Sequence, residues 1–338
     1  MVASITKYRF ILGLNFLKIR EPLGKGDQII DKFRITNDKS VARNFMGRDL
    51  REALGGLEGL TLLNSEALIY HEDSVEGKFE PEDSLRVLTR LLHVIGLFTS
   101  ALWMVKDNAV NFELGFLEVW SPVGGYRAHS NFLAMVVSKA DGTKQQVEFS
   151  RSDIRAAREF YQDFLLPLFF WTSEELDDVK NINLEQDNYV VSSHPKVPRL
   201  SRAFYFLESA RSNRDLGMKV AMYCSLYEAL FSTDATEITH KISHRIAMFL
   251  EQDSDKRRDV YSRVKKAYGI RSKVVHGDEL GKDLDKIQAI SVDADEIARR
   301  ILKKISSSEN LTEQFHASKS NLDEYFLKES FGGTIKTV

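Results

Sequence analysis

Cysteine is almost missing: the 338-residue chain has one, Cys224. A lone thiol excludes an intrachain disulfide and a four-cysteine zinc site, and it fits a reducing cytoplasm. An excess of one charge is missing too. The 47 Lys and Arg against 49 Asp and Glu leave a net charge of −2. Bulk charge therefore advertises no polyanion, and any anion site must come from a local patch. No uninterrupted long apolar run occurs. The most apolar stretch, 87–104, carries Thr89, Arg90, His93, Thr99 and Ser100, which suits a buried helix rather than a membrane span. Residues 1–18 lack a continuous apolar segment and a small-residue cleavage site, which predicts no secretory leader. Ser225 has no Gly-x-Ser-x-Gly context, and no Gly-x-x-x-x-Gly-Lys loop occurs. Hydrolase-triad and phosphate-loop readings are therefore poor.

What remains is ordinary and globular: 43% hydrophobic and 28% charged residues, enough for packed cores in two domains. The first half mixes element types. Residues 8–18 and 28–35 read as strands. Pro81-Glu82-Asp83-Ser84 opens a helix over 81–105, with Leu85, Leu88, Leu92 and Ile95 at helical spacing. Residues 110–120 read as a strand. Residues 131–139 and 144–149, joined by Asp141-Gly142, read as a hairpin, because Asp-Gly supplies the positive φ of a tight turn. Ser150-Arg151-Ser152-Asp153 reads as a capping box before a helix over 154–169, kinked or cut at Pro167. Gly55-Gly56 and Gly124-Gly125 read as turns. Residues 102–108 look like a helix end, with Trp103 in the core and Asp107-Asn108 in the turn; the other reading is a ligand or partner surface.

Residues 173–198 are polar, acidic and contain Pro195 and Pro198, which marks a linker. Beyond it only helices are predicted: 199–212, 215–231, 237–251 capped by Thr236, 254–276 capped by Ser254 and stopped by Gly277, and 283–305 with a break near Ser291. A further short helix falls within 310–326. Cys224 lies in an apolar helical pattern and reads as core. The expected layout is an α+β N-terminal domain (1–172), a linker (173–198) and an all-α bundle (199–330).

The most informative run is Arg271-Ser272-Lys273-Val274-Val275-His276, followed by Gly277. A guanidinium neutralises a phosphate in any protonation state, and an imidazole takes or gives a proton near neutral pH. Such a pair can cleave RNA without a metal. Five positions turn a helix by about 140°, so one regular helix does not aim both groups at one point. A two-fold dimer does, by bringing the same patch from each copy together. The plain alternative is a helix terminus, where basic residues favour the negative end of the dipole and glycine ends the helix.

Three runs carry a resemblance. They are Tyr227-Glu228-Ala229-Leu230-Phe231, then Glu237-Ile238-Thr239-His240-Lys241-Ile242-Ser243-His244-Arg245-Ile246-Ala247, then Tyr268-Gly269-Ile270-Arg271-Ser272-Lys273-Val274-Val275-His276-Gly277. Over about residues 199–306 the chain resembles the Apea-like branch of the HEPN superfamily. The resemblance implies a dimerising, HEPN-like helical bundle. Many members are metal-independent ribonucleases with an Arg followed, four to six residues on, by a His. It implies Arg271 and His276 as catalytic residues, with Glu228, Tyr268, Ser272 and Lys273 in support. Active members often carry Asn, Asp or His after the Arg; serine, here Ser272, is common in the Apea-like branch. The implied setting is phage defence or toxin-type growth arrest. The N-terminal domain would then sense a protein or phage-derived trigger. The alternative is a non-catalytic HEPN-like module that binds RNA, a nucleotide or a protein. No cofactor and no membrane contact are expected.

Other residues have two readings each. Lys256, Arg257, Arg258, Arg263, Lys265, Lys266, Arg271 and Lys273 crowd one helix. Arg263, Lys265 and Lys266 are candidate RNA contacts, although cations spread around a helix also make a plain solvated face. Glu228 either faces the bundle and orients Arg271 through an ion pair or is a partly exposed acid. His240 and His244 share a helix face as zinc ligands can, but no Glu follows His240 and no third ligand is evident.

Overall fold

The computed structural model describes residues 5–53, 55–76, 81–122, 124–133, 136–169, 197–233, 238–281, 283–316 and 319–331. The residues form two compact units. The first holds the chain up to Val137 and resumes at Lys144; the second holds Ser138–Thr143 and the later helices. Nearly all of the expected linker, and Thr236, lie outside the described residues.

The first unit is built on a six-stranded antiparallel sheet of order β3-β4-β5-β1-β6-β7. Its strands are β1 (Ile5–Leu14), β3 (Asp27–Ile30), β4 (Phe33–Thr36), β5 (Ala67–Glu76), β6 (Leu114–Ser121) and β7 (Gly125–Phe132). Central β1 is covered on both faces. Ile11 joins Phe116 and Leu68 against α1 (Lys39–Phe45), α2 (Arg48–Ala53) and α3 (Gly56–Asn64), through Ala42, Phe45, Leu50 and Leu62. On the other face lies α4 (Pro81–Val105). Gly115 lets Leu92 and Leu88 come close to the sheet there; an added Cβ would stand 2.4 Å from Leu92 Cδ2. By length and composition α4 would pass for a membrane span, yet 78% of that window is buried inside the protein. Trp103 is core, and Asn108 closes the following turn by bonding the Lys106 carbonyl and the Val110 N–H.

Several expected elements differ. Residues 28–35 are two strands, because Asp31, at φ 41°, turns the chain between them. The 110–120 strand starts only at Leu114, since Asn108 and Asn111 tie up the local backbone first. The 131–149 hairpin does not form. β7 instead pairs with β6 through a turn at Gly124-Gly125, and β8 (Val147–Phe149) runs parallel to β2 (Leu17–Ile19). The Asp141-Gly142 turn exists but lies in the helical unit. The Ser150–Asp153 capping box is present and starts α5 (Arg151–Phe160). Before Pro167 the helix widens into a π turn, Tyr161–Leu165, with the Leu166 N–H reaching the Tyr161 carbonyl, and resumes as α6 (Leu166–Phe169). Pro167 supplies no N–H, and that ladder break favours the wider turn.

His71 on β5 is fully buried, stacked on Phe33 (4.2 Å) and 2.9 Å from the Tyr8 hydroxyl. Burial pushes its pKa down to about 4, against the pull of Asp73 and Asp31. In the unfolded chain it titrates near pH 6.5. The unfolded state therefore binds the extra proton first as pH falls. Its stabilising contribution is full above about pH 6.5 and is lost down to about pH 4, roughly 3 kcal/mol in all. Melting temperatures across that range are expected to fall, and His71→Phe should flatten the slope.

The second unit has seven helices among its described residues: α7 (Arg199–Ser212), α8 (Leu216–Phe231), α9 (Ile238–Leu250), α10 (Ser254–His276), α11 (Leu284–Ser306), α12 (Glu309–His316) and α13 (Lys319–Phe331). α8 is buried on most sides and carries Cys224, whose thiol burial pushes well up. The tail forms two helices rather than one. Phe315 and Phe326 close an aromatic cluster with Phe231 and Phe249. α11 is unbroken at Ser291, whose hydroxyl donates to the Ala140 carbonyl instead of interrupting its own helix. Asp253, not Ser254, caps α10 by accepting from the Asp255 and Lys256 N–H groups. A carboxylate there also meets the positive end of the helix dipole.

Candidate functional site

α10 buries a stripe of Val260, Val264, Ala267 and Tyr268. Arg271 lies seven residues after Val264, two turns along the same stripe. Its side chain is thereby drawn toward α8. One Nη is 3.2 Å from Oε1 of Glu228 and donates to Oε2 at 3.3 Å. The guanidinium keeps 33% of its exposure and lies 6.0 Å from the centre of the Tyr268 ring. The Tyr268 hydroxyl is buried with no hydrogen-bond partner among the described residues, and burial pushes its pKa up.

Gly277, at φ 76°, ends the helix in the left-handed region; its N–H reaches the Val274 and Lys273 carbonyls, and Asp278 donates to Lys273. A side chain other than glycine would be strained there. His276, Ser272, Lys273 and Val275 all lie exposed at this end, Val275 at 61%. Of the two valines before His276, only Val274 is partly covered, packing beside Gly217 of α8. The regular helix leaves Arg271 and His276 facing directions about 140° apart.

The candidate RNA contacts divide. Lys265 and Lys266 are exposed. Arg263 is not available: its Nη atoms pair with Asp293 at 2.9 Å, with Glu296, and with Asp259 at 3.7 Å, and the side chain is 15% exposed. Local sequence does not show this capture, because the carboxylates that hold Arg263 come mainly from α11. Arg263→Ala is expected to cost about 1–3 kcal/mol of stability, read as a lower urea midpoint at unchanged slope. Lys265→Ala with Lys266→Ala should stay within about 0.5 kcal/mol.

His240 Nδ1 is 3.0 Å from the Tyr261 hydroxyl, and its ring centre lies 6.4 Å from that of His244. Burial, with His240 and nearby arginines, lowers the His244 pKa. Among the described residues no group of three or more His, Cys, Asp or Glu could hold a metal ion. No family model, no curated protein and no solved structure matches this chain.

Proposed function

We propose that the helical unit is a HEPN-type ribonuclease module that works as a homodimer. Arg271 of one copy binds the scissile phosphate and His276 of the other moves the proton. The observation that supports this is the helix end itself. It presents an exposed imidazole and a half-exposed guanidinium whose directions diverge within one chain. A second copy removes the divergence. In the reaction the ribose 2′-oxygen attacks phosphorus, giving its proton to a base, and the bond to the 5′-oxygen breaks as that oxygen gains a proton. His276 serves as base or as acid, and Arg271 offsets the charge that builds on the phosphoryl oxygens. The products are a 2′,3′-cyclic phosphate and a 5′-hydroxyl. The first unit, on this reading, senses a trigger or restrains activity, as in a defence or toxin effector.

The Arg271–Glu228 pair favours a second reading, a non-catalytic module in which Arg271 is structural. End mapping separates the two. Purified protein should cut RNA to cyclic-phosphate ends and leave the same strand intact when every 2′-hydroxyl is replaced by hydrogen. Cleavage of the 2′-deoxy strand, or none of RNA in the presence of chelator, sinks the ribonuclease.

A further inference from the structure

Residues Ser138–Thr143 belong to the helical unit, although the chain on either side belongs to the first. They form a strap held by its backbone. The Ser138 N–H donates to the Arg211 carbonyl (3.1 Å), near the end of α7. The Ala140 carbonyl accepts from the buried Ser291 hydroxyl (2.6 Å), and the Asp141 carbonyl from Gln288 Nε2 (3.1 Å), both on α11. The turn closes through Lys139, whose N–H meets the Thr143 carbonyl and whose carbonyl meets the Gly142 N–H. Gly142, at φ 82°, has the conformation only glycine adopts without strain, and a Cβ on it would lie 3.1 Å from Leu216. Leu216 opens α8.

The next residue, Gly217, touches the end of α10. A Cβ on it would stand 2.7 Å from Val274 Cγ2 and 2.6 Å from Leu280 Cδ1. Val274 is two positions before His276. Close packing therefore runs from the strap, through the first turn of α8, to the helix end that carries Arg271 and His276. Interiors packed this densely transmit displacement rather than absorb it.

We propose that Ser138–Thr143 is a regulatory strap that positions the catalytic helix end. Seated, it presses the first turn of α8 against Val274 and Leu280 and fixes the exit of α10. Unseated, it frees residues 273–280. Because its two ends continue into the first unit, tension on Val137 or Lys144 reaches it through the covalent chain. What the helix end then does rests on the ribonuclease reading; the clamp does not.

Hydrogen exchange on the full chain tests it. Ser291→Ala adds no bulk at this buried position and removes the donor to Ala140. The Gly277 and Asp278 amides, which bond Val274 and Lys273, should exchange about tenfold faster, while amides in the middle of α9, such as Ile246, keep wild-type rates. RNA cleavage should fall about tenfold as well, since Arg271 and His276 are then less well placed. Should Ser291→Ala fail to fold, Gln288→Ala, half-buried with one hydrogen bond to the strap, carries the same comparison at about threefold. Faster exchange at Ser138 and Gly142 with no change at Gly277 and Asp278 overturns the proposal, as does uniform acceleration across the unit. A wild-type protein that cuts no RNA would remove the ribonuclease reading and leave the exchange result to decide the strap.

Discussion

Arg271→Ala protein mixed with an equal amount of His276→Ala protein recovers about a quarter of wild-type RNA cleavage, although each variant alone is nearly dead. The number follows from two-fold symmetry. Random exchange makes half of the dimers mixed. In a mixed dimer one site receives both missing groups and the other receives Arg271 and His276 intact. One site in four is thus restored. Each single loss should be large. Removing a general acid or base costs about 10²–10⁴ in rate, and removing a group that stabilises developing phosphoryl charge costs about 10²–10³. Both mixtures are unfolded and refolded together, because without subunit exchange a shared site would also give nothing in the first mixture and half in the second, of wild type with the double variant. Wild type mixed equally with the double variant keeps about a quarter of full activity if the site is shared between copies, and about half if each chain carries its own. Once exchange is complete, recovery of nothing in the first mixture and half in the second would place the whole site within one chain. That outcome requires the end of α10 to distort, since the regular helix ending at Gly277 sets Arg271 and His276 about 140° apart.

The helix that carries this pair was legible from sequence almost to the residue, and the reason is local. The cap at Asp253 came out one position early, but the apolar stripe, the basic outer face and the glycine stop all act within a few residues of one another. The same holds for α4, for α7 and for the Ser150 capping box. Long-range placement was the part that local signals do not carry. β5 includes His71-Glu72-Asp73-Ser74, a run without strand formers, and becomes a strand because β1 and β4 flank it. Asp141-Gly142 between two strand-like stretches reads as a hairpin, yet tertiary partners win. β2 took β8, and the turn itself went to Ser291 and Gln288. Ser291 was read as a helix breaker for the same reason: its partner, Ala140, lies 151 residues away. At the site, Arg271 beside Glu228 is one of the two readings the sequence leaves open for that acid, whereas the capture of Arg263 depends on which face of α11 turns toward it. Local patterning fixes where a side chain leaves its helix, and packing decides what it meets.

The largest stability loss in the helical unit is expected from Asp295→Ala. Asp295 on α11 is 2% exposed, accepts a 2.6 Å hydrogen bond from the Tyr223 hydroxyl on α8, and pairs with Arg299 one turn on. Tyr223 is itself fully buried. Truncation strands two groups at once, a phenol oxygen in the core and a guanidinium left with less compensation at 15% exposure. Removing one member of a buried ion pair costs about 3–5 kcal/mol, because the remaining charge keeps its desolvation penalty. At about 2–4 °C per kcal/mol for a unit of this size, the melting point should fall by roughly 10 °C. Asp295→Asn separates the contributions: the amide oxygen still accepts from Tyr223 while the charge opposite Arg299 is gone. Its loss should be about half that of Ala. Tyr223→Phe should cost less again, about 1 kcal/mol, since the carboxylate keeps Arg299 and no charge is abandoned. If Asn proves as damaging as Ala, the ion pair carries the stability; if Asn is nearly neutral, the Tyr223 hydrogen bond does. A neutral Ala variant would contradict both, because a largely buried guanidinium does not lose its carboxylate at no cost.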